Sequence, residues 1–203
     1  MNERGMIFNA EMVRAILDGR KTQTRRPVKF PLIDKNMGCE LAGNELAGEL
    51  AAHNYWNSPY GKPGDRIWVR ETFRVHSRAT DVATLVYRAS VRNSWTEQTH
   101  RVPIAVCDKP ATPEKWTPSI HMPRWASRIL LEITDVRVER LRDLSEEDAK
   151  SEGITPPAGG VLPGWEYRIN FRDLWMDIYG TDSWEANPLV WVIEFKRVEG
   201  AAL

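Results

Sequence analysis

Gly19-Arg20-Lys21-Thr22-Gln23-Thr24-Arg25-Arg26 gathers four cations and two threonine hydroxyls into eight residues. Ahead of it, Met12, Val13, Ile16 and Leu17 recur at the spacing of one helical face, and Asn9 is placed to cap the start of that helix. Gly19 falls where a helix needs a residue of positive φ to stop, so the stretch carries the chain from a helix end into a strand. Such a concentration binds a phosphate or carboxylate, or poises a hydroxyl nucleophile beside an amine. The plain alternative is a solvated helix end, where each basic side chain is favoured by about 0.3–1 kcal/mol through the helix dipole.

Outward from this stretch the chain reads as strands with a few helices. Met6-Ile7-Phe8 suits an edge strand. Residues 30–62 and 90–118 lack periodicity and read as two excursions, the first with one helical turn near 45–52 and the second suited to a lid. In the strand 66–72, Ile67, Val69 and Glu71 alternate with Trp68 and Arg70; Glu71 either enters a pocket at the strand's end or pairs with a neighbouring Arg, the commoner outcome. A further strand covers 82–89, and a long one covers 128–141 with a bulge expected near Thr134-Asp135, where the apolar phase changes. Ser145 caps a short helix that ends at Gly153 and leaves Glu152 at the negative end of the dipole, where a carboxylate is disfavoured. After a loop at 155–164, Phe171, Leu174, Trp175 and Ile178 form a helical core stripe stopped by Gly180, and a last strand fills 189–198. The fold class expected is α+β, a small mixed β-barrel with flanking helices.

The 203 residues suit one elaborated domain. Twenty-eight basic and twenty-eight acidic residues cancel, so no global field draws in nucleic acid and any such contact must come from a local patch. With no leader-like apolar stretch near Met1 and no run of about 20 apolar residues, a cytoplasmic protein without a membrane partner is expected. Cys39 and Cys107 read as isolated thiols, and His53, His76, His100 and His121 lack ligand spacing, so neither metal nor cofactor is expected. Nine Trp are many for this length; most suit a core, and one or two suit stacking on a base.

Three pieces together resemble the ASCH domain, a PUA-like β-barrel related to RNA-binding modules. They are Ala15-Ile16-Leu17-Asp18-Gly19-Arg20-Lys21-Thr22-Gln23-Thr24-Arg25-Arg26, Gly64-Asp65-Arg66-Ile67-Trp68-Val69-Arg70-Glu71, and Leu144-Ser145-Glu146-Glu147-Asp148-Ala149-Lys150-Ser151-Glu152-Gly153-Ile154. The final Val192-Ile193-Glu194-Phe195 strand is similar too, so the resemblance touches both ends of the chain. The segment 120–128 looks like that of longer forms encoded by phages and prophages.

Small ASCH amidohydrolases remove acyl groups from N4-acylcytidines with a Lys, a Thr and a Glu. The resemblance implies Thr24 as a nucleophile deprotonated by Lys21, with Glu152 binding the base or passing a proton. Arg20, Arg25, Arg26, Glu71, His121 and Arg124 are the residues expected to bind the substrate, a nucleoside or single-stranded RNA. In a regular strand Lys21 and Thr24 face opposite sides, so their pairing calls for a bulge or turn between them. Alternative readings are an RNA-binding module in which Arg20, Arg25, Arg26, Arg70 and Arg124 hold phosphates, a single-strand ribonuclease using Lys21 or His121, or a phage accessory protein without turnover.

Overall fold

The computed structural model describes residues 1–90, 99–155, 164 and 166–198. In chain order the elements are β1 (Glu3–Ile7), α1 (Ala10–Leu17), β2 (Gln23–Pro27), α2 (Gly43–Ala51), β3 (Arg66–Arg70), β4 (Phe73–Arg78), β5 (Val82–Tyr87), β6 (Thr99–Pro103), β7 (Leu130–Arg140), α3 (Glu146–Ser151), α4 (Glu166–Tyr179), α5 (Asp182–Glu185) and β8 (Leu189–Arg197). The fold is thus mixed α+β, with eight strands in two sheets and five α-helices among the described residues. The larger sheet has the order β1-β3-β7-β8-β2 and the smaller the order β4-β5-β6. The larger sheet ends on β1 and β2, and no closed barrel forms among the described residues.

The chain divides into two compact units. Unit 1 comprises Met1–Leu17, Arg66–Glu132 and Arg197–Leu203. In it β1 runs parallel to β3, and β3 pairs antiparallel with the start of β7. The three-stranded sheet buries Phe73, Val75, Ala83, Leu85, Tyr87 and Val102 together with Met122 and Ala126, and the Trp125 ring meets Phe73 edge-on at 6.3 Å. Gly5 is required where it lies, because a Cβ there would come within 2.6 Å of the Trp68 ring.

Unit 2 comprises Asp18–Asp65 and Ile133–Lys196. Here β2 and β8 pair antiparallel from Gln23 opposite Glu194 to Pro27 opposite Val190. One face of that pair, through Val190 and Val192, packs with Leu141, Leu144, Ala149, Phe171 and Trp175. Burial of these apolar side chains, at roughly 25 cal/mol per Å², holds the short α3 in place.

Local signals were realised closely. The Asn9 side chain accepts the Met12 N–H at 2.8 Å, and Gly19 turns the chain at φ +75°. Ser145 and Asp148 cap α3 reciprocally, and Gly153 ends it at φ +81°. Ile133 and Val136 are both buried although three apart, so the phase of β7 does change where the sequence suggests. The expected α4 stripe is core only at Phe171 and Trp175; Ile178 is 45% exposed, and in the last turn of α4 it is Tyr179 that packs against the cluster. The second excursion supplies β6, a third strand beside β5, while its residues 91–98 lie outside the described residues, as do Trp95, Trp165 and most of the 155–164 loop. Among the described residues no helix is long and apolar enough to cross a membrane.

Candidate functional site

Residues 20–23 of unit 2 lie against the C-terminal end of α3 and occupy its carbonyls one after another. Arg20 donates to the Gly153 carbonyl at 3.0 Å, the Lys21 amine to that of Glu152 at 2.9 Å, the Thr22 N–H to that of Ser151 at 2.8 Å, and the Gln23 amide to that of Asp148 at 2.9 Å. The carbonyls of Ser151, Glu152 and Gly153 lie past the last bond of the helix and find partners in the basic stretch, whereas that of Asp148 also accepts the Glu152 N–H at 2.9 Å. The cations therefore do sit at the negative end of a helix, but of α3, which lies more than a hundred residues further along the chain.

At this junction the Lys21 amine also donates to Glu152 Oε2 at 2.7 Å, and Arg25 Nη1 to Glu152 Oε1 at 3.2 Å. The Lys21 and Arg25 side chains are 0% exposed and that of Glu152 is 4% exposed. Arg25 further meets Glu139 Oε1 at 2.5 Å and Asp148 Oδ1 at 3.5 Å, and its guanidinium lies 6.0 Å from the Phe171 ring centre. Beyond them Arg137 joins Glu139, Asp148, Asp135 and Glu194. Three cations thus face five carboxylates, and the deepest members are the three that the sequence singled out.

Burial is the main reason that the Lys21 pKa falls below the ordinary lysine value; the charge and hydrogen bond of Glu152 pull it back up, and Arg26 and Arg25 add smaller downward pushes. Neighbouring arginines are thus a minor cause. Asp148 pays a desolvation cost that alone would raise its pKa, yet hydrogen bonds from Ser145 and Gln23, with the charge of Arg25, hold it down at about 2. One of its oxygens, Oδ2, serves the α3 cap and the other faces Gln23 and Arg25.

Thr24 is not brought to this centre. Gln23, Arg25 and Pro27 share the face of Glu194, Val192 and Val190, whereas Thr24 and Arg26 share the face of Ile193 and Trp191. The β2–β8 register is continuous, without the bulge that would turn Thr24 round to Lys21. On the Thr24 side, the Tyr60 ring meets Trp191 edge-on at 5.9 Å. Arg20 is exposed and also pairs with Asp18 at 3.2 Å.

Glu71, His121 and Arg124 belong to unit 1. Glu71 is buried and takes the Arg128 guanidinium through both oxygens, at 2.9 and 3.1 Å; Arg128 also donates to Ser90 Oγ at 2.8 Å and lies 4.1 Å from the Tyr87 ring centre. This is the ion pair foreseen as the commoner outcome, and burial raises the Glu71 pKa against the opposing pull of Arg128. Arg124 pairs with Glu3 at 2.9 Å, and His121 is exposed.

Gln23, Arg137, Glu139 and Glu194 were missed at the sequence level. One signal was available for two of them: Asp135, Arg137 and Glu139 recur at period two along the strand read at 128–141, which marks a charged face. Among the described residues no group of three or more His, Cys, Asp or Glu is placed to hold a metal ion. Comparison with protein-family models, curated proteins and solved structures found no match to this chain.

Proposed function

We propose that this chain is an ASCH-type protein related to the PUA-like superfamily that hydrolyses the amide of an N4-acylated cytidine or a similar modified nucleoside without a metal. The observation that carries this reading is the buried Lys21 amine 2.7 Å from Glu152, with Arg25 holding the other carboxylate oxygen. Burial favours the neutral amine, which is the form able to accept a proton.

With Thr24 on the opposite face, the arrangement favours water as the nucleophile. As the water oxygen bonds to the acyl carbon, Lys21 takes one of its protons. The tetrahedral intermediate collapses with cleavage of the carbon–nitrogen bond, and the ammonium returns the proton to N4. The products are a carboxylic acid and cytidine. Glu152 orients the amine and stabilises its charged form during the transfer, and Arg25 holds the other oxygen of Glu152 in place.

The test is to incubate the protein with N4-acetylcytidine and follow cytidine release, with Lys21→Ala alongside. Release by the wild type that is lost in the variant supports the reading. No release by the wild type, or equal release by both, removes it.

A further inference from the structure

The balanced charge of the whole chain hides an uneven division. Unit 1 holds fourteen Lys and Arg against nine Asp and Glu, net +5, whereas unit 2 holds fourteen against nineteen, net −5. Within unit 1 the three strands of the smaller sheet contain three Arg and no acidic residue at all.

The register sorts these side chains. Ala83, Leu85 and Tyr87 of β5 point into the unit 1 core, so Thr84 and Val86 point away from it. Arg74 stands opposite Val86, and a register shift between Val75 and Ser77 brings Ser77 opposite Thr84, which in turn pairs with Arg101. Arg74, Ser77, Thr84 and Arg101 therefore share the outward face. The Arg74 guanidinium lies 4.6 Å from the centre of the Trp116 ring, on the segment that runs along the β4 edge through the Phe73–Thr117 bridge. Its Nε is buried without a hydrogen-bond partner. No carboxylate among the described residues pairs with Arg74 or Arg101, in contrast with Arg124 and Arg128 of the same unit. Asp108 and Glu114 in the neighbouring loop are offset by Lys109 and Lys115.

We infer that the outward face of the β4-β5-β6 sheet docks single-stranded nucleic acid. Phosphodiesters lie on Arg74 and Arg101, Ser77 and Thr84 donate hydrogen bonds to the backbone, and a base stacks on the layer formed by Trp116 and Arg74. Guanidinium groups with no carboxylate partner among the described residues, on strands that carry no acid, supply the electrostatic attraction, and an open sheet face with an aromatic layer suits bases that are not already stacked in a duplex. An acidic protein surface would use the arginines but not the stacking layer. The site uses no residue of the Lys21 centre, so it stands apart from the hydrolytic reading.

The experiment is a fluorescence-anisotropy titration of the full chain with a labelled oligouridylate of about ten nucleotides, at salt between roughly 50 and 200 mM. Binding is expected to weaken with salt, and Arg74→Gln and Arg101→Gln should each lower the log–log slope by about 0.7. Trp116→Phe should retain binding and Trp116→Ala should weaken it roughly tenfold or more, with thermal midpoints recorded for every variant. Lys21→Ala should bind like the wild type, so loss of hydrolysis and loss of docking are read separately. No binding at the lowest salt, wild-type affinity in the Arg74→Gln/Arg101→Gln protein, or equally tight binding of polyglutamate would overturn the assignment.

Discussion

Lys21 and Thr24 lie three residues apart in sequence and face opposite sides of the sheet that β2 joins. Their separation decides which side chain a nucleophile role can fall to. Under the hydrolytic reading, Lys21→Ala abolishes cytidine release, while Thr24→Ala keeps it within a few-fold of the wild type. Loss of release in a well-folded Thr24→Ala protein would return the role to the threonine.

The lowered pKa of Lys21 fixes the direction of the pH dependence. The neutral amine is populated at lower pH than in an ordinary lysine, so kcat/KM should rise with pH through an inflection below about 10.4. Stability should also increase as pH rises from the folded pKa toward the unfolded one, because over that window the unfolded chain binds the extra proton. Lys21→Met should abolish cytidine release at every pH and flatten the stability profile, measured by initial rates and by chemical denaturation.

Burial should protect the same amine. With an acetylating reagent and peptide mass analysis, exposed Lys29, Lys35 and Lys62 should label rapidly and Lys21 far more slowly. Equal labelling of all four would show that the Lys21–Glu152 contact opens freely.

Asp148 links the α3 cap to the charged centre, and its pKa is held down at about 2. A depressed carboxylate contributes stability that is full above its unfolded pKa, about 3.9, and is lost as pH falls from there toward 2. Asp148→Asn should remove that acid limb. Ser145→Ala, which takes away the cap and one of the hydrogen bonds to Asp148, should cost about 1 kcal/mol at neutral pH in denaturant melts.

Glu71 and Arg128 form a buried pair in which neither partner is easily left alone. Glu71→Ala should destabilise the protein by about 3–5 kcal/mol, because the guanidinium beneath it loses its only carboxylate among the described residues. The double variant Glu71→Ala/Arg128→Met should recover part of that loss, as measured by urea unfolding.

What the sequence made legible was local. Asn9, Gly19, Ser145 and Gly153 act within a turn of their own positions, and each does in the structure what its residue type favours. The strands β4 and β6 escaped notice because the bulge at Val75 and Ser77 breaks the alternation of one, and the other is five residues within a polar stretch. Lys21, Arg25 and Glu152 were legible as a set only through resemblance. Glu139 and Glu194 answer Arg25 and Arg137 across 114 and 57 residues of sequence, a distance over which periodicity carries no information. The charge division was hidden for the same reason, since the units interleave along the chain and only the folded structure says which residues belong together.

The hold of residues 20–23 on the end of α3 also sets the order in which this protein can acquire a site. Lys21 and Glu152 are 131 residues apart, and α3 has six residues, too few to persist as an isolated helix. Closing so long a loop is entropically costly until the sheet beneath it has formed. A growing chain on the ribosome therefore carries the basic stretch unassembled until the 131 residues that separate Lys21 from Glu152 have been added. The buried centre is thus a late product of folding, made only after α3 has joined the sheet.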